Sequence, residues 1–241
     1  YKEKGIPIDA PFALKVSELE SEDWIITFNI SMTSQEGVLI TNTIAKLRKE
    51  DKNFTIKDIL EEINHAHSIN QETKNITTSL FQAAENWGIF AITNEGTAIT
   101  DLVNPGITTI IDLSVYSSIG AFNVRGLVIG LVSRKLFIQR INARKQEEIQ
   151  SIQHGIDFMS YNPTRETPLI WLFLDEAHEF LPKSYKTPAT DALVQILREG
   201  RQPGISLVLA TQQPGQIHED VMTQSDIVIS HRVTAKPDIE A

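Results

Sequence analysis

A chain of 241 residues, 41% hydrophobic and 22% charged, carries enough apolar material for one sizeable core and a smaller appended unit. It contains no cysteine, which excludes disulfides, thiolate nucleophiles and cysteine-bound zinc, and its formal net charge of -9 leaves only local clusters of Lys and Arg to meet nucleic acid. No apolar run approaches the roughly 18 residues of a membrane span, and the first residues lack a signal peptide's apolar stretch, so a cytoplasmic protein with no membrane contact is expected.

Residues 1–104 read as a helical subdomain. In TIKDILEEINHA, Ile56, Ile59, Leu60 and Ile63 recur at three- and four-residue spacing, which puts them on one helix face. Thr55 is placed to cap that helix, with Asp58 in the capping-box position. The turn Asn104-Pro105-Gly106 opens a second domain, residues 105–241. There ITTIIDLS, rich in β-branched residues, predicts a buried strand, and a long helix follows from about Asn123 to Ile149, with Leu127, Leu131, Leu136, Ile138 and Ile141 as its apolar positions. A strand in LIWLFLDE, a helix in TDALVQILREG, a strand in ISLVLATQ, a short helix near HEDVMTQ and a final strand in DIVISHR complete the chain. Apolar strands alternating with helices predict an α/β domain with a parallel sheet flanked by helices.

The chemistry concentrates at strand ends. LIWLFLDE runs six apolar residues into Asp175 and Glu176, and the carboxyl end of a strand in a parallel sheet is where ligands bind. Asp175 there can hold Mg²⁺, and Glu176 can polarise an attacking water, the tasks of phosphoryl transfer. The plain alternative is that both acids simply begin the next helix at the positive end of its dipole. The neighbouring strand ends in Thr211 and Gln212, and a Gln at that place can bond a γ-phosphate or the lytic water. Between the strands, Arg198 and Arg201 close a helix in LREGRQPG, and Arg232 follows the last strand. Each can neutralise a helix terminus or reach a phosphate, in its own subunit or a neighbour's.

WLFLDEAHEFLP, LREGRQPGISLVLATQQPGQI and QSDIVISHRVTAKPDIEA together, in this order and spacing, resemble the HerA/FtsK superfamily of ATP-driven DNA translocases over about Gly106 to Ala241. The resemblance implies a RecA-like ATPase core using ATP and Mg²⁺, assembled as a homo-oligomeric ring, a hexamer, that draws double-stranded DNA through its centre. It implies DNA end processing beside a NurA-like nuclease. Asp175 and Glu176 would take the metal-binding and water-activating (Walker B) roles, Gln212 the sensor role with Thr211 beside the nucleotide, and Arg198, Arg201 or Arg232 a phosphate contact. Lys183 and Lys186, in LPKSYKTPAT, would face DNA, against the plain reading of a solvated loop.

One part of the family pattern is missing. A phosphate-gripping loop has the form G-x-x-x-x-G-K followed by Ser or Thr, and no Gly among the 241 residues begins it. In the family that loop precedes the helical insert, so an amino-terminal part is expected beyond these residues, and the chain alone is expected to hydrolyse ATP little or not at all. The competing expectation is a non-catalytic oligomerisation or regulatory module that kept the fold. His65 and His67 are two apart, off a common helix face, and make a weak metal site. His178, just past the acidic pair, either contacts nucleotide or packs at the helix start. No G-x-S-x-G nucleophile elbow is present.

Overall fold

A computed structural model describes residues 8–50, 53–66, 69–91, 95–116, 124–153 and 167–232. The chain divides into two compact units, Tyr1–Ala98 with Ile110–Phe122, and Ile99–Thr109 with Asn123–Ala241.

The first unit is built on four helices: α1 (Ser21–Thr27), α2 (Gln35–Glu50), α3 (Ile56–His65) and α4 (Gln71–Glu85). Helix α3 starts where the sequence signals it. Thr55 accepts from the Asp58 backbone N–H, and the Asp58 carboxylate accepts in return from the Thr55 N–H at 2.7 Å. Of its expected apolar face, Ile56, Ile59 and Ile63 are buried. Asn70 caps α4 in the same manner, accepting from Thr73 N at 2.7 Å. The core is aromatic: Trp24 packs on Phe28, Phe81 and Phe90, with ring centroids 4.9 Å from Phe81. A parallel bridge between Leu14 and Phe90 ties the chain entering the helices to the chain leaving them.

The second unit contains α5 (Ile99–Leu102), the long α6 (Val124–Gln153), β1 (Ile170–Leu174), α7 (Thr190–Glu199), β2 (Ile205–Leu209) and α8 (Glu219–Gln224). β1 and β2 pair in parallel, from Ile170 opposite Ile205 to Leu174 opposite Leu209. The parallel arrangement requires a crossover, which α7 supplies. Ala192, Leu193 and Ile196 form its buried side, while α6 packs along α7. Gly204, at φ +84, makes the turn into β2; a Cβ there would meet the Leu169 side chain at 2.5 Å. Below the strands the guanidinium of Arg140, wholly buried on α6, donates to Pro203 O at 2.8 Å and Thr167 O at 2.7 Å. One residue of α6 thus fastens the backbone just ahead of each strand.

Two expected strands are corrected. Among the described residues, 107–113 join no β-ladder, with Ile107 64% and Ile110 85% exposed. Residues 226–232 likewise join no ladder among the described residues, with Ile227 79% and Ile229 81% exposed. β-Branched composition records a preference for an extended, buried surface. A strand also needs a neighbouring backbone over several residues, and among the described residues only β1 and β2 form such a ladder. The sheet is α/β in kind but two-stranded among the described residues.

Candidate functional site

The acidic pair sits where β1 ends. The ladder continues one step past the strands, with Ala210 N–H donating to Leu174 O at 2.9 Å and Ala177 N–H to Ala210 O at 2.9 Å. These two bonds bracket Asp175 and Glu176 and set them beside Thr211 and Gln212. Asp175 is exposed; its Oδ1 accepts the Glu176 N–H at 2.9 Å. Glu176 adopts the left-handed conformation, φ 50 and ψ 45. For a residue with a side chain this costs on the order of 1–3 kcal/mol and persists only where the surroundings over-determine it. The two bracketing bonds provide that constraint.

The Glu176 carboxylate is held on one side by Gln212, whose Nε2 donates to Oε1 at 2.6 Å. Its other oxygen, Oε2, is buried without a hydrogen bond and faces His178 Nδ1 at 3.5 Å, too long to count as one. The same Nδ1 lies 3.0 Å from Thr211 Oγ1, which in turn accepts the Gln213 N–H at 3.0 Å. Glu179 pairs with Arg125 of α6 at 2.8 Å, so the short 3-10 turn carrying His178, Ala177–Glu179, is itself tied down.

The other sequence candidates stand apart from this cluster. Arg198 is committed to Asp220 of α8 at 2.7 Å. Arg201 is exposed in the turn that feeds the amino end of β2, the end opposite Gln212. Arg232 is exposed, two residues beyond the exposed Ile229 to Ser230 stretch. Lys183 is exposed, with its N–H bonded to Gln216 O at 2.8 Å, and Lys186 pairs with Asp191 at 2.7 Å. His65 ends α3, and His67 lies outside the described residues. His178 is the site residue whose place the sequence left undecided; its only signal was its position two residues after Glu176.

Asp175 suits Mg²⁺ in kind, being a hard oxygen donor with Oδ2 free of the hydrogen bond that Oδ1 makes. Among the described residues no group of three or more His, Asp or Glu converges as a metal cage, and Mg²⁺ on nucleotides uses one or two carboxylates with phosphate and water instead. A groove of about 260 Å³ lined by α6 residues and Thr167 lies at the amino ends of the strands, away from the acids. No described helix is long and apolar enough to cross a membrane.

Residues 107–236 match the family described as Zonular occludens toxin (Zot). Over 152 residues, 56% of this chain, the sequence is 28% identical to the probable DNA double-strand break repair helicase HerA of Methanocaldococcus jannaschii, covering 30% of that protein. Over 144 residues, 54% of this chain, it is 27% identical to the DNA double-strand break repair helicase HerA of Pyrococcus furiosus, covering 25% of it. The chain therefore spans about a quarter to a third of the curated relatives it matches.

Proposed function

The chain belongs to the zonular occludens toxin (Zot) family, and from that premise we propose that it supplies the metal-binding and water-activating half of an ATP-driven DNA translocase of HerA type. The observation that carries this reading is the convergence of Asp175, Glu176 and Gln212 at the carboxyl end of two parallel strands, with Gln212 bonded to Glu176 at 2.6 Å. The likeness to two DNA double-strand break repair helicases supports double-stranded DNA as a ligand, and ATP is proposed as the fuel.

In this reading the fold is the carboxyl-terminal part of a RecA-like core, residues 105–241, with residues 1–104 as its helical insert. Asp175 would hold Mg²⁺, which would supply neutralisation of charge on the phosphate oxygens. Glu176 accepts a proton from the attacking water, and Gln212 leaves Glu176 for the γ-phosphate, so reporting its presence. Thr211 flanks the nucleotide. In a ring such as a hexamer, Arg201, at the far end of β2, would serve a neighbouring subunit's phosphate; Arg198 would first have to release Asp220, and the exposed Arg232 would reach across a boundary. Lys183 and Lys186 line the DNA path, and a NurA-like nuclease is the partner in DNA end processing. The non-catalytic alternative draws on one fact, that none of the 241 residues begins a phosphate-gripping loop.

The deciding experiment is DNA-stimulated ATP hydrolysis by the longest natural polypeptide containing these residues, beside Glu176→Gln in it. Turnover in the parent and a loss of at least about a hundredfold in the variant, with ATP still bound, is expected. A parent that binds DNA and partner yet never hydrolyses ATP would establish the non-catalytic module.

A further inference from the structure

The Glu176 carboxylate presents an asymmetry that the proposed chemistry leaves open. Oε1 has a donor in Gln212, but that donor is the residue required to move when a γ-phosphate arrives. Oε2 is buried and has no hydrogen bond. The Glu176 side chain as a whole is 36% exposed, so a donor or positive dipole placed close to this one buried oxygen stabilises its position. The polar side chain that faces it is His178, with Nδ1 at 3.5 Å.

The imidazole is not free to turn away. Nδ1 is anchored on Thr211 Oγ1 at 3.0 Å, and the turn that carries it is bound at both sides, by the Ala177 N–H to Ala210 O bond and by the Glu179–Arg125 pair. The geometry also selects the tautomer. If Nδ1 carried a lone pair and accepted from the Thr211 hydroxyl, that lone pair would face a carboxylate oxygen 3.5 Å away. If Nδ1 carries the proton, it donates to Thr211 Oγ1, and the partial positive charge of that N–H lies within 3.5 Å of Oε2. Thr211 Oγ1 has room for this donor beside the Gln213 N–H, since a hydroxyl oxygen offers two lone pairs. The second arrangement removes the like-signed facing and leaves the contact to Oε2 electrostatic, since 3.5 Å is beyond a hydrogen bond.

We propose that His178 is the positioning residue for Glu176: as the Nδ1–H tautomer, anchored on Thr211, it fixes Oε2 so that Oε1 alone turns to the water once Gln212 departs. A base oriented by a third group is the general logic of activated proton transfer. Here the orienting group also joins the ends of both strands, since Glu176 follows β1 and Thr211 follows β2. Any change in strand register would therefore reach the carboxylate directly. The assignment of Glu176 as a base rests on the function proposed above; the contact among His178, Thr211 and Glu176 does not.

The test has two arms so that the two ideas fail separately. In the longest natural polypeptide, His178→Ala should lower kcat for ATP about 10–100-fold, the usual effect of losing a supporting contact, with the KM for ATP within about twofold. His178→Asn places an amide where Nδ1 stood and should recover most of kcat, whereas His178→Gln, whose amide falls at the Nε2 position, should not. A structural role alone would make the Asn and Gln variants alike, and that result, or an undiminished kcat in His178→Ala, overturns the proposal. If the parent shows no ATP turnover, the functional reading fails, and ¹⁵N imidazole spectra of the same long polypeptide decide the contact. Those spectra should show the Nδ1–H tautomer, with the Nδ1 resonance displaced in both Thr211→Val and Glu176→Gln and unmoved in Lys183→Ala. An Nε2–H tautomer, or a resonance indifferent to all three, overturns it as well.

Discussion

Arg140→Met should be among the most destabilising single changes in the second unit. The guanidinium is 0% exposed and makes bonds of 2.8 Å to Pro203 O, 2.7 Å to Thr167 O and 3.3 Å to Glu147 Oε1. Methionine keeps most of the apolar stem and removes every donor. The buried Pro203 carbonyl and the part-buried Thr167 carbonyl then lose partners at up to about 1–3 kcal/mol each before any water enters, and among the described residues Glu147, 13% exposed, keeps Arg144 at 3.5 Å. Breaking one side of a buried pair typically costs about 3–5 kcal/mol, and that figure bounds the total once rehydration is allowed. Urea unfolding followed by circular dichroism should show the midpoint falling by roughly 1–2 M with the slope unchanged. The double variant Arg140→Met with Glu147→Leu should regain part of the loss, because no buried charge is stranded. A single variant within about 1 kcal/mol of the parent would refute the view that this clip holds the backbone leading into the strands.

Thr55→Ala removes the cap of α3 and should cost about 0.5–2 kcal/mol of stability, read as a midpoint shift in the same unfolding assay; no shift would mean the Asp58 carboxylate alone suffices. Arg198 and Asp220 should show a coupling of no more than about 1 kcal/mol in a double-mutant cycle, since the Arg198 side chain is 58% exposed and water screens the pair. If Arg198 is instead the phosphate contact, Asp220→Ala should leave or raise ATP turnover while Arg198→Ala abolishes it.

The sequence was legible wherever a local rule decides. The α3 cap, the helix at 124–153 and the two strands at 170–174 and 205–209 follow from capping residues, spacing and short apolar runs. So does the placement of Asp175 and Glu176 beside Thr211 and Gln212, because consecutive strands around a crossover helix become neighbours. The runs at 107–113 and 226–232, which join no ladder among the described residues, carry the same apolar signal as β1. Pairing is a relation between distant segments, and composition is silent on it. The His178 contact was illegible for a related reason: it depends on Glu176 taking a left-handed conformation, which no residue type in DEAH announces.

A two-stranded sheet is marginal by itself, and its support here comes from one side. Ile170 and Leu174 turn toward the helices, while Trp171 and Phe173 point the other way at 66% exposure each. The site's precision therefore has few sources. At the amino ends, Arg140 fixes the backbone leading into each strand; at the carboxyl ends, the Ala177 and Ala210 ladder bonds and the His178–Thr211 contact fix the backbone leaving them. Strain at Glu176 can be kept only while the two ends stay in register. Loosening Arg140 should then appear as loss of stability and also as faster hydrogen exchange at the Ala177 amide, across the full length of the strands from the substitution.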